Sequence, residues 1–393
     1  MIVHLIKGKK MEQLSSENLL AMGEVVSEIF GDALHKKRCL SLSQAAMGLL
    51  AGESLVLHRM GEGLSQVVGG NKKHATKQID RLLSNKGINS RELSKNWARY
   101  MIGQEKALLV ALDWSAFADD KQSMLSLNLV SSKGLSIPLL WKSVDNSRIK
   151  YNRARYEDEL LSQLKEALPE GVEVTVLADR GFSDHKFLRF LSEELKFSYV
   201  IRIKANTTII NEEEKRKAGD HLEKDQIVTL KNIGVTLQNY PVPVFVATQD
   251  KGMKAPWYLV SNLQETGREL VKKYSKRWKI EPYFRDLKDG RYGYGMESTH
   301  YKSAERRDRL MLIVVLCYRL LVLLGQAGEQ LGFDKKLKVN TVKKRTHSFF
   351  RQGLFYYEFF PHFKPDEQHA LLLSFQKILA EVPFWVDLMT ELK

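Results

Sequence analysis

A basic segment between residues 274 and 288 carries the side chains best suited to chemistry on phosphates. If this segment is one helix of 3.6 residues per turn, Tyr274, Arg277, Glu281 and Lys288 lie within about 60° of one another. The resulting stripe holds a carboxylate flanked by an aromatic hydroxyl and two cations. Because cations bind phosphates and a carboxylate can hold a metal ion, the stripe indicates a nucleic-acid site.

Two features of the sequence bear on whether this segment is a single helix. Thr266 and Glu269 have the spacing of a capping box, which predicts that a helix starts just before the segment. Pro282 lacks an N–H group and disfavours helical conformation at Glu281, so a kink is expected at that point. The alternative interpretation is a solvated basic helix that contains a glutamate by chance.

Two more acids come directly after continuous apolar runs. Residues 107–112 end at Asp113, and residues 172–178 end at Asp179. Such runs are typical of strands buried on both faces, and a β–α–β crossover can make the two strands parallel neighbours. The two carboxylates would then meet at one edge of the sheet, where they need a cation between them or one of them must be protonated.

Asp113, Asp179 and Glu281 therefore form a candidate metal site. Carboxylate oxygens suit Mg²⁺ or Mn²⁺, which usually take one or two carboxylates together with substrate phosphate and water. Two such ions about 4 Å apart can activate the attacking oxygen and stabilise the leaving oxygen in phosphodiester chemistry. Many acids in a chain of this length lie at strand ends, so the residues alone leave this grouping open.

The elements that must position these acids change in character along the chain. Residues 1–100 have helical apolar spacing, and their basic segment 72–83 follows a Gly-Gly turn. This pattern favours a helix-turn-helix-like DNA-binding domain, with a helical bundle and a solvated basic face as the alternative. Residues 101–330 predict a mixed α/β catalytic domain with a β-rich insertion at about 205–255, and residues 331–393 predict a helical C-terminal region suited to core packing or dimerisation.

Composition narrows the partners of the protein. The 393 residues carry a formal net charge of +14, which favours a polyanionic partner without separating DNA, RNA and a membrane surface. Cys39 and Cys317 have no zinc or disulfide spacing, which fits a reducing compartment. Residues 1–10 do not have the pattern of a secretory signal. The apolar run Leu310–Leu324 is interrupted by Arg319 and predicts a buried core helix, not a membrane span.

The motif Tyr-x2-Arg-x3-Glu-x6-Lys resembles the YREK signature of DDE transposases of bacterial insertion sequences, and in particular of the insertion-sequence-four family. Leu-Asp-Trp-Ser around Asp113 and Ala-Asp-Arg-Gly-Phe around Asp179 are similar to the other two motifs of that family. The Ile-Asp-Arg-Leu-Leu at residues 79–83 resembles its N-terminal region. The resemblance covers most of residues 70–345, and Pro282 departs from it because many relatives carry an acid there.

The resemblance implies an RNase H-like catalytic core whose metal-binding triad is Asp113, Asp179 and Glu281, with two Mg²⁺ (or Mn²⁺) ions per active site. It also implies DNA contacts outside the triad. Tyr274, Arg277 and Lys288 would hold phosphates near the transposon end. Trp257 lies on a predicted strand, where it would either stack on a flipped base or simply fill the core.

The reaction implied by this resemblance is cut-and-paste transposition. The ends of the element are cleaved, a hairpin forms and is opened, and the 3′-hydroxyl ends are joined to target DNA. The implied partners are double-stranded DNA, as terminal inverted repeats and as target, and a second copy of the chain in a homodimer. The expected location is the bacterial cytoplasm, at the nucleoid. The alternatives are an RNase H-like nuclease without strand transfer and an inactive DNA-binding regulator, with a membrane-surface protein ranked last.

Overall fold

The computed structural model describes residues 11–117, 120–131, 135–212, 214–223, 225–250, 253–339 and 341–381. The N-terminal residues 1–10, in which we find no secretory signal, and residues 382–393 of the predicted helical C-terminal region lie outside these ranges. The chain divides into two compact units. The helical unit comprises the chain up to Gly103, Phe117–Gln122 and the chain from Pro282, and the sheet unit comprises Gln104–Ala116 and Ser123–Glu281.

Most of the helical unit consists of helices, and further helices lie between or after the strands of the sheet unit. They are α1 Met11–Phe30, α2 Lys36–Gly52, α3 Leu57–Val68, α4 Lys72–Ser84, α5 Ser90–Ile102, α6 Asn146–Ala167, α7 His185–Arg189, α8 Gly267–Ser275, α9 Ile280–Lys288, α10 Ala304–Gln330, α11 Phe349–Phe359 and α12 Pro365–Ala380. A π-helical turn, Phe190–Glu194, continues α7.

In the part of the chain that the structure describes, ten strands form one sheet. They are β1 Ala107–Phe117, β2 Gln122–Val130, β3 Ser136–Asp145, β4 Glu173–Ala178, β5 Ser198–Arg202, β6 Thr208–Asn211, β7 Glu214–Lys217, β8 Ile227–Val235, β9 Tyr240–Thr248 and β10 Trp257–Ser261. Their order across the sheet is β3-β2-β1-β4-β5-β10-β9-β8-β6-β7. The fold is therefore a mixed α/β sheet with helical regions before and after it in sequence.

The basic helix α4 of the helical unit has the local features that the sequence predicts. Gly69 ends α3 in the left-handed region with φ of 66°, and Asn71 then caps α4 by accepting a hydrogen bond of 2.8 Å from the Lys73 N–H group. Apolar side chains such as Ile79 and Leu83 are buried. The three-residue connection that contains two glycines is typical of a helix-turn-helix pair.

The long helix α10 confirms the buried core helix predicted at Leu310–Leu324. It is long and apolar enough to cross a membrane by length and composition, but 89% of its most apolar stretch is buried inside the protein. Burial on all sides explains why its sequence shows almost no polar face.

The centre of the sheet confirms the predicted neighbours. Strand β1 pairs with β4 in parallel, with Ala111 opposite Leu177 and Leu112 opposite Ala178. Strand β5 pairs with β4 on the other side, also in parallel. Both runs are buried on two faces, as continuous apolar sequences in parallel strands require.

The β-rich segment predicted at about 205–255 is present as β6 to β9, and it extends the main sheet. Strand β10 pairs antiparallel with β5 on one side and with β9 on the other. The insertion strands therefore continue the same hydrogen-bonded layer, which local strand patterns could not indicate.

The segment 274–288 is not one regular helix, which corrects the stripe geometry inferred from the sequence. Helix α8 starts with the predicted capping box, in which the Thr266 N–H group donates to Glu269 Oε2 at 2.9 Å. A 3₁₀ turn, Lys276–Lys279, then separates α8 from α9. Pro282 is the third residue of α9, where its missing N–H group costs no helical hydrogen bond. The break thus comes before Glu281, and not at the proline.

Candidate active site

Asp113 and Asp179 lie where the pairing of β1 with β4 ends. Asp179 directly follows β4, whereas β1 continues past Asp113 to Phe117, which corrects the prediction that this strand ends at Asp113. Each is the residue that follows the last matched pair, Leu112 and Ala178, of the parallel register. Asp113 Oδ1 accepts a hydrogen bond of 2.9 Å from the Trp114 N–H group, and Asp179 Oδ1 accepts one of 2.8 Å from the Gly181 N–H group. In both carboxylates one oxygen is therefore held by the backbone.

The remaining oxygen of each carboxylate faces Arg277. Arg277 Nη1 lies 3.4 Å from Asp113 Oδ2, and Nη2 lies 3.9 Å from Asp179 Oδ2. Only 8% of the arginine side chain is exposed. Its Nε atom is buried and has no hydrogen-bond partner among the described residues. One incompletely satisfied guanidinium thus balances two acids that come from distant parts of the chain.

The electrostatics of this cluster favour a cation. Burial raises the pKa of Asp113 to about 6, the Arg277 charge opposes that rise, and the negative charges of Asp179 and Glu281 add to it. Two carboxylates this close destabilise each other unless a positive charge lies between them. Arg277 provides that charge in this structure.

Glu281 is the predicted acid that does not join the other two in one cluster. It is exposed, as the second residue of α9, although its charge is felt at Asp113. Within the described ranges, no group of three or more His, Cys, Asp or Glu side chains is arranged to hold a metal ion. The structure therefore brings Asp113 and Asp179 together through Arg277. It leaves Glu281, four residues after Arg277, at the surface.

Tyr274 and Trp257 are inside the sheet unit, not on its surface. Both belong to a core cluster with residues such as Leu259 and Leu270. Their rings meet edge to face with centroids 5.0 Å apart, and the Tyr274 hydroxyl is hydrogen-bonded to Arg277. These contacts form a chain from Trp257 through Tyr274 to the cation between the two aspartates.

Lys288 belongs to the helical unit, where its ammonium is already engaged. Its Nζ atom lies 3.7 Å from Glu297 Oε1 and 4.9 Å from the ring centroid of Phe117. Burial lowers the pKa of Lys288 below its ordinary value.

The hydrogen bonds that join Trp114 and Arg153 to Glu157 beside the aspartates were not anticipated from the sequence. Trp114 Nε1 donates a hydrogen bond of 2.8 Å to Glu157 Oε1, and Arg153 Nε donates another of 2.8 Å to the same oxygen. Glu157 is buried. The available signal was the i,i+4 pairing of Arg153 and Glu157 on a helix, which is too common to mark a site.

The residues present fit a divalent cation. Asp113 and Asp179 offer hard carboxylate oxygens, with both Oδ2 atoms directed at one buried positive charge. Both distances to that charge exceed the roughly 2.7–2.9 Å of a tight charge-assisted hydrogen bond. A small cation at the same place would meet the same two oxygens.

Part of the chain matches a known protein family. Residues 141–320 match the family model described as a transposase DDE domain. The match includes Asp179 and Glu281 and begins after Asp113 in the sequence. No curated protein shows significant similarity to this chain.

Proposed function

We propose that the protein is a DNA-cleaving and strand-transferring transposase that moves its own insertion sequence, because residues 141–320 match the family model of a transposase DDE domain. It binds the two ends of that element, cleaves them through a hairpin intermediate and joins the freed 3′-hydroxyl ends to target DNA. The observation that carries this proposal is the pair of Oδ2 atoms of Asp113 and Asp179 that face one cation at the edge of an RNase H-like sheet.

In this proposal Asp113 and Asp179 hold two Mg²⁺ (or Mn²⁺) ions, and Glu281 completes the ligand set. The ions would supply positive charge for the attacking and leaving oxygens of the phosphodiester. The charge of Glu281 already reaches Asp113. Release of Arg277 from the two carboxylates would leave them free to hold the ions together with Glu281.

Arg277 then has a second role. Once released from Asp113 and Asp179, its planar guanidinium is suited to bind a DNA phosphate near the cut site. Tyr274, which is hydrogen-bonded to Arg277, would orient it, and Lys288 would contact a further phosphate. None of these side chains forms a covalent bond to DNA in the proposed reaction.

Trp257 supports the hairpin step. It lines a cavity of about 830 Å³ in the sheet unit, together with Met253, Val271, Arg268 and Lys272. A flipped base needs an apolar face and nearby polar groups, and this cavity offers both. The 8% exposure of Trp257 means that a base would have to reach its ring from the cavity side.

End recognition is assigned to α4 and its neighbours. A second cavity, of about 610 Å³, lies in the helical unit and is lined by Arg38, His74, Lys77 and Arg81 among others. Clustered cations on a helix that follows a glycine turn suit the backbone of duplex DNA. Two element ends require two active sites, so the working form is a homodimer on DNA, in the bacterial cytoplasm at the nucleoid.

The test is a strand-joining assay with a labelled, pre-cut duplex of the terminal sequence that flanks the gene. With Mg²⁺, the wild-type protein is expected to join the 3′-hydroxyl end to a target plasmid. Asp113→Asn, Asp179→Asn and Glu281→Gln are each expected to abolish cleavage and joining while binding to the end persists. Cleavage without joining would instead identify a nuclease, and binding without either reaction would identify a regulator.

A further inference from the structure

Arg153 on α6 lies against both loops that carry the aspartates. Its guanidinium carbon is 5.8 Å from the ring centroid of Trp114, which follows Asp113, and 5.3 Å from that of Phe182, in the turn after Asp179. An arginine near two aromatic faces is held in orientation by cation–π attraction as well as by hydrogen bonds.

Gly181 shows how close this guanidinium comes to Asp179. A Cβ atom built on Gly181 would lie 3.0 Å from Asp179 Oδ1 and 3.1 Å from Arg153 Nη2. Since both atoms lie about 3 Å from one point, they are at most about 6 Å apart. That gap is small enough for a single phosphate group to reach both Arg153 and a cation on Asp179.

The hydrogen bonds of Arg153 leave its outer edge available. The Nε atom is used by Glu157, which is buried and also accepts from the Trp114 indole. With Nε held from inside, the two Nη groups have no hydrogen-bond partner among the described residues, and 43% of the side chain is exposed. A guanidinium fixed in this way matches the oxygens of a phosphate.

We propose that Arg153 is a positioning residue that binds a backbone phosphate of the DNA strand being cut, next to the bond that is broken. This inference rests on the proposed function, because it takes DNA as the substrate of the Asp113 and Asp179 site. Arg153 holds the strand in register with the two carboxylates. Glu157 and Trp114 hold Arg153.

Arg155 provides a matched control on the same helix. Its Nε atom lies 3.4 Å from Glu159 Oε1, again at i,i+4, and its side chain is 60% exposed. Its guanidinium is 5.0 Å from the ring centroid of Tyr156. Arg155→Ala therefore removes the same charge from the same helix without removing the group beside Asp179.

The experiment measures binding of a fluorescein-labelled terminal duplex by anisotropy, with Ca²⁺ in place of Mg²⁺, at a series of salt concentrations. Arg153→Ala is expected to weaken binding about tenfold or more and to reduce the salt slope by about 1. Arg153→Lys should restore most of the salt slope, because the positive charge returns. It should restore less of the affinity, because lysine lacks the planar guanidinium. Arg155→Ala should reduce the affinity for the duplex much less than Arg153→Ala does.

A neutral methylphosphonate placed at single positions around the cut site tests for a direct contact. One position should weaken binding by the wild-type protein about tenfold and cause no further loss in Arg153→Ala. If the loss of affinity from the methylphosphonate adds to the loss from Arg153→Ala at every position, the inference is wrong. It is also wrong if Arg153→Ala binds the duplex as tightly as wild type. If wild type and Arg155→Ala bind and cut while Arg153→Ala does so equally well, only this inference fails. If wild type neither binds nor cuts terminal DNA, the proposed function fails and takes the inference with it.

Discussion

Replacing Arg277 with glutamine tests the charge balance at the two aspartates. The substitution removes the cation that lies 3.4 Å from Asp113 Oδ2 and 3.9 Å from Asp179 Oδ2. It leaves two adjacent carboxylates without a positive neighbour between them. We expect the metal-free variant to be less stable than wild type and to bind divalent cations more tightly.

The size of the effect follows from the distances. At an effective dielectric constant of about 20, each contact contributes roughly 4–5 kcal/mol of attraction. Desolvation of the buried guanidinium and the partial exposure of the carboxylates offset most of this, which leaves a net loss of about 2 kcal/mol. That loss corresponds to a fall in melting temperature of roughly 4–8 °C for a unit of this size. A cation that no longer displaces the arginine should bind roughly 30-fold more tightly.

Thermal unfolding with and without Mn²⁺, together with calorimetric titration of Mn²⁺, measures both quantities. Lys276→Gln is the control, because Lys276 lies on the same 3₁₀ turn, carries the same charge and is exposed. It should change neither stability nor Mn²⁺ affinity appreciably. The reasoning is refuted if Arg277→Gln is as stable as wild type, or if it binds Mn²⁺ no more tightly than the lysine control does.

Three other predictions address the helical unit. Burial raises the pKa of Asp286 to about 7 from an ordinary value of 3.8, so the folded state binds this proton more tightly than the unfolded state does. Stability should therefore fall by up to about 4 kcal/mol as pH rises from about 4 to 7, and urea unfolding should show a flatter pH profile for Asp286→Asn. Asn71→Ala removes the cap of α4 and should cost about 1 kcal/mol in the same measurement, whereas an unchanged midpoint would exclude a capping role. Lys77→Ala should weaken binding to all duplex sequences alike and reduce the salt slope by about 1, and a loss confined to one sequence would contradict a backbone contact.

The aspartate pair could be predicted from the sequence because two strong signals coincide there. Continuous apolar runs mark strands buried on both faces, and an acid that ends each run is placed at the sheet edge. A β–α–β crossover can then make the two strands parallel neighbours. The register of β1 and β4 confirms that they are, and each aspartate directly follows the last paired residue of its strand.

The surroundings of the pair could not be predicted in the same way. The sequence around Arg277 is typical of a solvated basic helix. In the folded protein Arg277 is buried, because acids far away in sequence attract it. Tyr274 on α8 packs in the core for a similar reason. Its ring contacts Trp257, which comes from strand β10. The 3₁₀ turn before Glu281 has no clear local signal, because the sequence marks only the proline that follows.

The extent of the sheet also depended on long-range pairing. The β-rich insertion predicted at about 205–255 contains β8 and β9, but only pairing through β10 joins them to the central strands. Arg153 could not be predicted as a site residue for the same reason. Its neighbours Trp114 and Phe182 come from two loops that meet only in the folded protein.

The most direct test of the account is the position of Mn²⁺ in crystals of the protein bound to a terminal duplex, located by anomalous scattering. We predict Mn²⁺ within coordination distance of both Asp113 and Asp179, with Glu281 on the same cluster and Arg277 moved onto a DNA phosphate. Mn²⁺ bound elsewhere, with Arg277 still between the two aspartates while DNA occupies the site, would contradict it.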